Sequence, residues 1–205
     1  MDLKSVMNDP LLLTAYIISI VGYALFAVAS GLKKKNHLLI CQSTANALCA
    51  VAEGMTGLWS GLVQDAVNFI RNIFVLKKWM NTILAIIFIV LGTGIGIFVF
   101  IYDFEHAKWW GLLPVFATLE YSIIILIPKV RIEIVKVSIM VSSLCWSVYG
   151  YGMNFIPTLA FNLLSFVLAV ISLIVIIVKR RHKEANVEEL DINEIKNGTL
   201  KTTEM

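Results

Sequence analysis

Seven apolar stretches follow one another along the chain, with short polar segments between them. A helix that crosses the hydrocarbon core of a bilayer needs about 20 mostly apolar residues, and each stretch is close to that length. The stretches are approximately 11–30, 37–53, 58–76, 81–102, 110–127, 131–149 and 155–178. A chain of 205 residues that is 59% hydrophobic leaves no room for a second folded domain. We therefore expect an all-α membrane protein with seven transmembrane helices.

Basic residues alternate between the two ends of these stretches, and this alternation predicts the orientation of the chain. The clusters that follow the first, third, fifth and seventh stretches are 33–35, 77–78, 129–131 and 179–183. The opposite side holds only Lys4 and Lys108. Because cytoplasmic loops carry an excess of Lys and Arg, we expect the N-terminus outside and the C-terminus in the cytoplasm. The basic cluster after the first stretch also favours a retained span over a cleaved signal peptide.

The two halves of the sequence can be aligned, which predicts two parallel three-helix bundles joined by a linker helix (3+1+3). An offset of 96 places Asn46 over Ser142, and a slightly shorter second loop then places Asn68 over Asn162. Parallel repeats of this kind are common in transporters. The predicted boundaries are repeat one at 11–76, linker at 81–102 and repeat two at 110–178, within a domain 1–183, followed by a disordered cytoplasmic tail at 184–205.

The third stretch carries more polar side chains than a lipid-facing helix tolerates. At about 100° per residue, Asp65, Asn68 and Asn72 fall on one narrow arc. Arg71 lies beside this arc, and we expect Asp65 or Glu120 of the fifth stretch to neutralise it in the bundle interior. The alternative for Arg71 is that it extends to lipid headgroups at the cytoplasmic end.

This polar stripe has two interpretations. One is a solute pathway, and its predicted binding residues are Gln64, Asp65, Asn68, Arg71 and Asn72, with Asn46, Glu120, Trp146 and Asn162 opposite. The other is hydrogen bonding that holds the helices together. We favour the pathway because five polar groups in one short helix exceed what helix packing requires.

Other motifs receive structural interpretations. Gly92 and Gly96 predict a small-residue surface for close helix packing, and Glu53 is expected to be a solvated carboxylate at an outer helix end. We find no metal-ligand spacing, nucleophile elbow or phosphate-binding loop, so we expect neither an enzyme nor a cofactor or metal. A net charge of +3 without a basic patch gives no reason to expect nucleic acid binding.

Three segments carry a resemblance to a known family. They are Asn68-Phe-Ile-Arg71-Asn72, Leu91-Gly-Thr-Gly94-Ile-Gly96 and Leu112-Leu-Pro114-Val, and they resemble the YgjV-type family of bacterial inner membrane proteins. That resemblance implies the bacterial inner membrane as the location and supplies no substrate. More distantly, the 3+1+3 plan is similar to the SWEET sugar carriers, the PQ-loop proteins and the PnuC-type vitamin carriers. In SWEET-like carriers two asparagines on the third and seventh helices contact the solute, which implies this role for Asn68 and Asn162.

The leading hypothesis is a small-solute carrier that works by alternating access. The main alternative is a structural or regulatory membrane protein whose stripe only joins helices, and an enzyme acting on lipid ranks third. The expected partners are the lipid bilayer and a small polar solute, with a homo-oligomer left open. The carboxyl groups of Asp65 and Glu120 would permit proton coupling.

Overall fold

The computed structural model describes the backbone of residues 7–127 and 129–203, with side chains up to His182. This part of the chain is helical and holds no strand. We number its seven long helices α1 (Pro10–Gly31), α2 (Lys35–Thr56), α3 (Trp59–Leu76), α4 (Thr82–Tyr102), α5 (Leu112–Leu126), α6 (Ile132–Gly152) and α7 (Ile156–Thr203). The all-α prediction is confirmed. The side chains of the predicted tail, 184–205, lie outside the described part, so its disorder stays a prediction.

The helix boundaries follow from local sequence signals. Asp9 caps α1, because its side chain accepts from the backbone N–H of Leu11 at 2.9 Å and Pro10 occupies the first helical position. Gly57 ends α2 with a φ of 72°, the left-handed conformation that glycine adopts without strain. The chain therefore turns directly from α2 into α3. Two short helical segments, Phe104–Ala107 and Lys108–Gly111, connect α4 to α5.

Six helical segments of the described chain are long and apolar enough to cross a membrane, so the protein is a multi-pass membrane protein. The six belong to α1, α2, α4, α5, α6 and α7. Helix α3, with 18 residues, does not reach the same apolar composition because its polar stripe lowers its mean hydropathy.

Six of the helices form a closed ring, in which each helix packs against two neighbours. The order around the ring is α1, α2, α3, α5, α6, α7 and back to α1. Helix α4 lies outside the ring and packs against α3 and α5. Its buried residues are Gly92 and Gly96, so the prediction of a small-residue packing surface is confirmed.

The ring has two ends. We call the end where α1, α3 and α5 finish and α2 and α6 begin the basic end, and the other the opposite end. An apolar cluster packs toward the basic end and comprises Leu38, Leu39, Tyr121, Ile125, Val135, Ile139 and Ala169. A second cluster, toward the opposite end, comprises Tyr16, Tyr23, Cys49, Leu58 and Phe155. Polar side chains lie in the interior between the two clusters.

Candidate functional site

A cavity of about 50 Å³ lies in the interior of the ring. Every ring helix contributes to its wall, whereas no described residue of α4 does. The polar side chains on the wall are Tyr23, Ser30, Gln42, Asn46, Asp65, Asn68, Arg71, Thr118, Tyr121, Ser142, Ser143, Trp146, Asn162 and Ser165. Because a buried water needs roughly 10–15 Å³, this space has room for a few water molecules.

Most of the residues predicted to bind solute lie on this wall. They are Asn46, Asp65, Asn68, Arg71, Trp146 and Asn162. Both pairs of the sequence register, Asn46 with Ser142 and Asn68 with Asn162, therefore face the same cavity. The cavity lies near the middle of α2, α3 and α6, where Asn46, Asn68 and Ser142 fall about halfway along their helices. It meets α7 in the first third of its apolar part, at Asn162.

Several amide atoms on the wall have no hydrogen-bond partner among the described residues. Asn68 Nδ2 donates to Thr118 Oγ1 at 3.2 Å, but its Oδ1 is unpartnered. Neither amide atom of Asn46 has a partner, although the residue is 1% exposed. Asn162 Nδ2 donates to the carbonyl of Thr158, one turn earlier in α7, at 2.8 Å. An unpartnered buried polar group costs about 1–3 kcal/mol, so these atoms favour a polar occupant of the cavity.

Three predicted binding residues lie off the wall. Gln64 is fully buried and its amide packs against Gly96 of α4. Asn72 is fully buried and is not part of the wall, and its Oδ1 accepts from Arg71 Nη2 at 2.9 Å. Glu120 Oε2 accepts from Ser138 Oγ at 2.9 Å, so this carboxylate joins α5 to α6.

Arg71 differs from both sequence expectations. The structure has no ion pair between Arg71 and Asp65 or Glu120, all of which it describes. The guanidinium instead donates to Ser122 Oγ at 2.6 Å and to Asn72, and lies 4.9 Å from the centre of the Tyr121 ring. Asp65 is six residues away, about 9 Å along the helix axis, whereas these neutral partners are adjacent. Nor does Arg71 extend to the headgroups, because it is 1% exposed.

Glu53 was wrongly expected to be solvated. It is fully buried, Tyr23 donates to its Oε1 at 2.8 Å, and its carboxyl group packs against Gly61 of α3. The reason is the tight turn at Gly57, which folds the first turn of α3 over the end of α2. A signal was present in the sequence: Gly61 precedes Asp65 by one helical turn and leaves space for a side chain beside the stripe.

Two lysines near the basic end join helices that are not neighbours in sequence. Lys35 Nζ of α2 donates to the carbonyl of Ile125 in α5 at 3.1 Å. Lys136 Nζ of α6, fully buried, donates to the carbonyl of Ser30 in α1. Cations at helix C-termini are favourable because the last carbonyls lack helical partners. Sequence analysis missed Lys136 because only the packing of α6 on α1 supplies its acceptor.

The comparisons with known proteins identify the family of the chain but do not assign it an activity. No curated protein and no solved structure matches this chain, so the distant similarity to SWEET, PQ-loop and PnuC-type carriers stays a prediction. A family model described as a bacterial inner membrane protein, Imp-YgjV, matches residues 13–183. The match covers most of the 205 residues and confirms the resemblance carried by α3, α4 and α5. The chain therefore belongs to the YgjV family of bacterial inner membrane proteins.

Proposed function

We propose that this protein is a carrier that moves a small polar solute across the inner membrane by alternating access. The observation that carries the proposal is the cavity enclosed by six helices, whose wall holds unpartnered amide atoms from α2 and α3 opposite Asn162 of α7. A site near the middle of the membrane, built from two halves of a chain, is the usual arrangement in secondary transporters. The solute would satisfy the unpartnered atoms.

The order of helices in the ring supports a 3+1+3 arrangement with α4 as the linker. Each helix of the first half has a counterpart in the second half: α1 corresponds to α5, α2 to α6 and α3 to α7. Every packing contact in the ring has a matching contact between the corresponding helices. The two lysine bonds obey the same exchange, because one joins α2 to α5 and the other joins α6 to α1. Their acceptors, Ser30 and Ile125, lie within one residue of the sequence offset.

The proposed topology has seven spans, with the N-terminus outside. Helix α3 would span the membrane despite its low hydropathy, because its fully buried residues are polar or glycine and its apolar residues are partly buried or exposed. The excess of Lys and Arg at the basic end would place that end in the cytoplasm. With an odd number of spans, the N-terminus then lies on the other side of the membrane from the C-terminus.

Access would alternate through contacts that open at one end at a time. At the basic end the halves are held by the Lys35 and Lys136 bonds. At the opposite end Tyr16 of α1 packs edge-on against Phe155, just before α7, with ring centres 5.0 Å apart. Because the cavity of about 50 Å³ holds only a few waters, a larger solute requires the halves to separate.

A thermal-shift screen of the purified protein against sugars, nucleosides and B-vitamins tests the proposal. A ligand that binds only the folded state at 100 times its Kd stabilises it by about 2.7 kcal/mol. We expect one solute class to raise the unfolding temperature, and Asn68→Ala and Asn162→Ala to abolish that rise. Gln64→Met is the matched control, since Gln64 is buried on the same helix as Asn68 but lies off the wall.

The structural alternative has its own supporting observation. Arg71, Asn72 and Ser122 form a hydrogen-bond network that joins α3 to α5. If no solute stabilises the protein, and the Asn68 and Asn162 variants are merely less stable, the polar interior serves helix packing and the carrier proposal fails.

A further inference from the structure

Two carboxyl groups are buried close together between the cavity and the opposite end, because the carboxyl group of Glu53 lies against Gly61, one helical turn before Asp65 on α3. Glu53 of α2 is 0% exposed and Asp65 of α3 is 2% exposed. One oxygen of Glu53 accepts from the Tyr23 hydroxyl at 2.8 Å. Glu53 Oε2 and Asp65 Oδ2 have no hydrogen-bond partner among the described residues. An unpartnered, ionised carboxylate is among the least favourable groups that a protein interior can hold.

No cation in the described chain balances this pair. The ion pairs there join His106 to Asp103 and Arg180 to Glu133, both away from the cavity. The buried cations Arg71 and Lys136 are bonded elsewhere, to Ser122 and Asn72 and to the carbonyl of Ser30.

The other titratable groups around the pair do not supply a counter-charge. They are Tyr23 of α1, Cys49 of α2 and Tyr149 of α6, each of which interacts electrostatically with the two carboxyls. All three are neutral in their ordinary protonation state. Two adjacent carboxylates in such surroundings repel one another, and a proton on one of them removes both the repulsion and one buried charge.

The pair communicates with the cavity. Asp65 forms part of its wall, and Tyr23, which also lies on the wall, donates a hydrogen bond to Glu53. Asn46, which is 99% buried on the same wall with both amide atoms unpartnered, adds an independent polar group aimed into that space. The arrangement is a continuous polar route from the cavity to the carboxyl pair.

From this geometry, and on the basis of the proposed transport function, we infer that Glu53 and Asp65 form the proton-binding site of the carrier. Binding converts one carboxylate to a carboxylic acid by uptake of one proton, and release of that proton regenerates the carboxylate. A metal cation fits less well, because the described residues contain no group of three or more His, Cys, Asp or Glu side chains.

Infrared spectroscopy of the full-length protein in lipid nanodiscs tests the site without a solute. A protonated carboxyl group gives a C=O stretching band separate from the backbone amide bands. We expect this band in the wild type, its loss as the pH is raised, and its loss in the double variant Glu53→Gln/Asp65→Asn. Glu120→Gln is the matched control and should retain the band, because Glu120 lies off the cavity wall and accepts from Ser138.

The site is overturned if the folded wild type has no such band, or if the band is unchanged in the double variant. Size-exclusion profiles and circular dichroism establish folding, and if the double variant does not fold, at least one single variant must alter the band. If NaCl, but not choline chloride, abolishes the band and raises the unfolding temperature of the protein, the carboxyl pair binds sodium instead of a proton. If the band is present but no solute stabilises the protein in the thermal-shift screen, the carrier proposal fails and the proton-binding site stands. If a solute stabilises the protein but the band is absent, the proton-binding site fails and the carrier proposal stands.

Discussion

Helices α3 and α4 are consecutive and pack on one another, yet they bury different kinds of side chain. The buried residues of α3 are polar or glycine: Ser60, Gly61, Gln64, Asp65, Asn68, Arg71 and Asn72. Those of α4 are two glycines, and its large apolar side chains face outward. Lipid is as apolar as leucine, so burial here follows polarity and small size rather than hydrophobicity. Hydropathy therefore selects α4, which lies outside the ring, ahead of α3, which lines the cavity.

The largest expected effect is on the hydrogen-bond network of α3. Asn72→Leu removes the acceptor for two donors of a fully buried guanidinium, and we expect a loss of about 3 kcal/mol of unfolding free energy. Denaturant unfolding in detergent micelles measures it. Gln64→Met, on the same helix, removes an amide that makes no hydrogen bond and should stay within about 1 kcal/mol of the wild type. Equal losses in both variants would show that polarity alone, without these bonds, stabilises α3.

A second effect concerns the buried lysine that joins two helices of the ring. Lys136→Met removes a charged hydrogen bond to the end of α1, and we expect a loss of about 2 kcal/mol. The control is Lys179→Met, which is exposed and should change stability by less than about 0.5 kcal/mol. If Lys136→Met is equally silent in the same unfolding assay, the bond between the halves contributes nothing.

The packing of α4 gives a smaller effect. A Cβ added at Gly96 would lie 3.0 Å from Val115 and would collide with the Gln64 amide, whereas one added at Gly94 meets nothing within 4 Å. We expect Gly96→Ala to cost about 1 kcal/mol through overpacking and Gly94→Ala to cost nothing. The thermal unfolding temperatures of the two variants provide the measurement. Equal temperatures would contradict the close approach of α4 to the ring.

The smallest effect concerns the outer surface of α4. Phe98 is 69% exposed on this helix, where its ring meets lipid. Since lipid contact is similar before and after the helices associate, Phe98→Ala should change the unfolding free energy by less than about 0.5 kcal/mol. A decrease of several kcal/mol in the unfolding free energy, as for a buried phenylalanine of a soluble protein, would instead indicate that a protein partner packs against this face.

The sequence pattern predicted the helices well because span length and apolar composition are local properties. The apolar stretch at 81–102 is the helix Thr82–Tyr102 in the structure, and the close-packing role of Gly96 is also confirmed. The stripe on α3 was correctly assigned to the interior, because polar residues have one favourable direction in a bilayer.

The partners of individual polar groups could not be predicted, because each depends on another helix. Arg71 bonds to Ser122 of α5 rather than to a carboxylate, and Lys136 reaches a carbonyl of α1. Glu53 is buried because a two-residue turn brings α3 over it. Helical periodicity gives the face of a side chain but not the neighbour that it meets across the interface.

The most direct test of the account is whether the cavity opens to the aqueous phase, since a thiol reagent is larger than the few waters for which the cavity of about 50 Å³ has room. In a background with Cys41, Cys49 and Cys145 replaced by Ala, Ser143→Cys would place a thiol on the cavity wall, and Phe98→Cys would place one in lipid. Thiol reagents that do not cross the membrane require an ionised, hydrated thiolate. The account predicts that the cysteine at position 143 reacts in intact membranes and that the cysteine at position 98 does not. Equal lack of reaction at both positions would contradict it and identify the polar interior as a sealed packing layer.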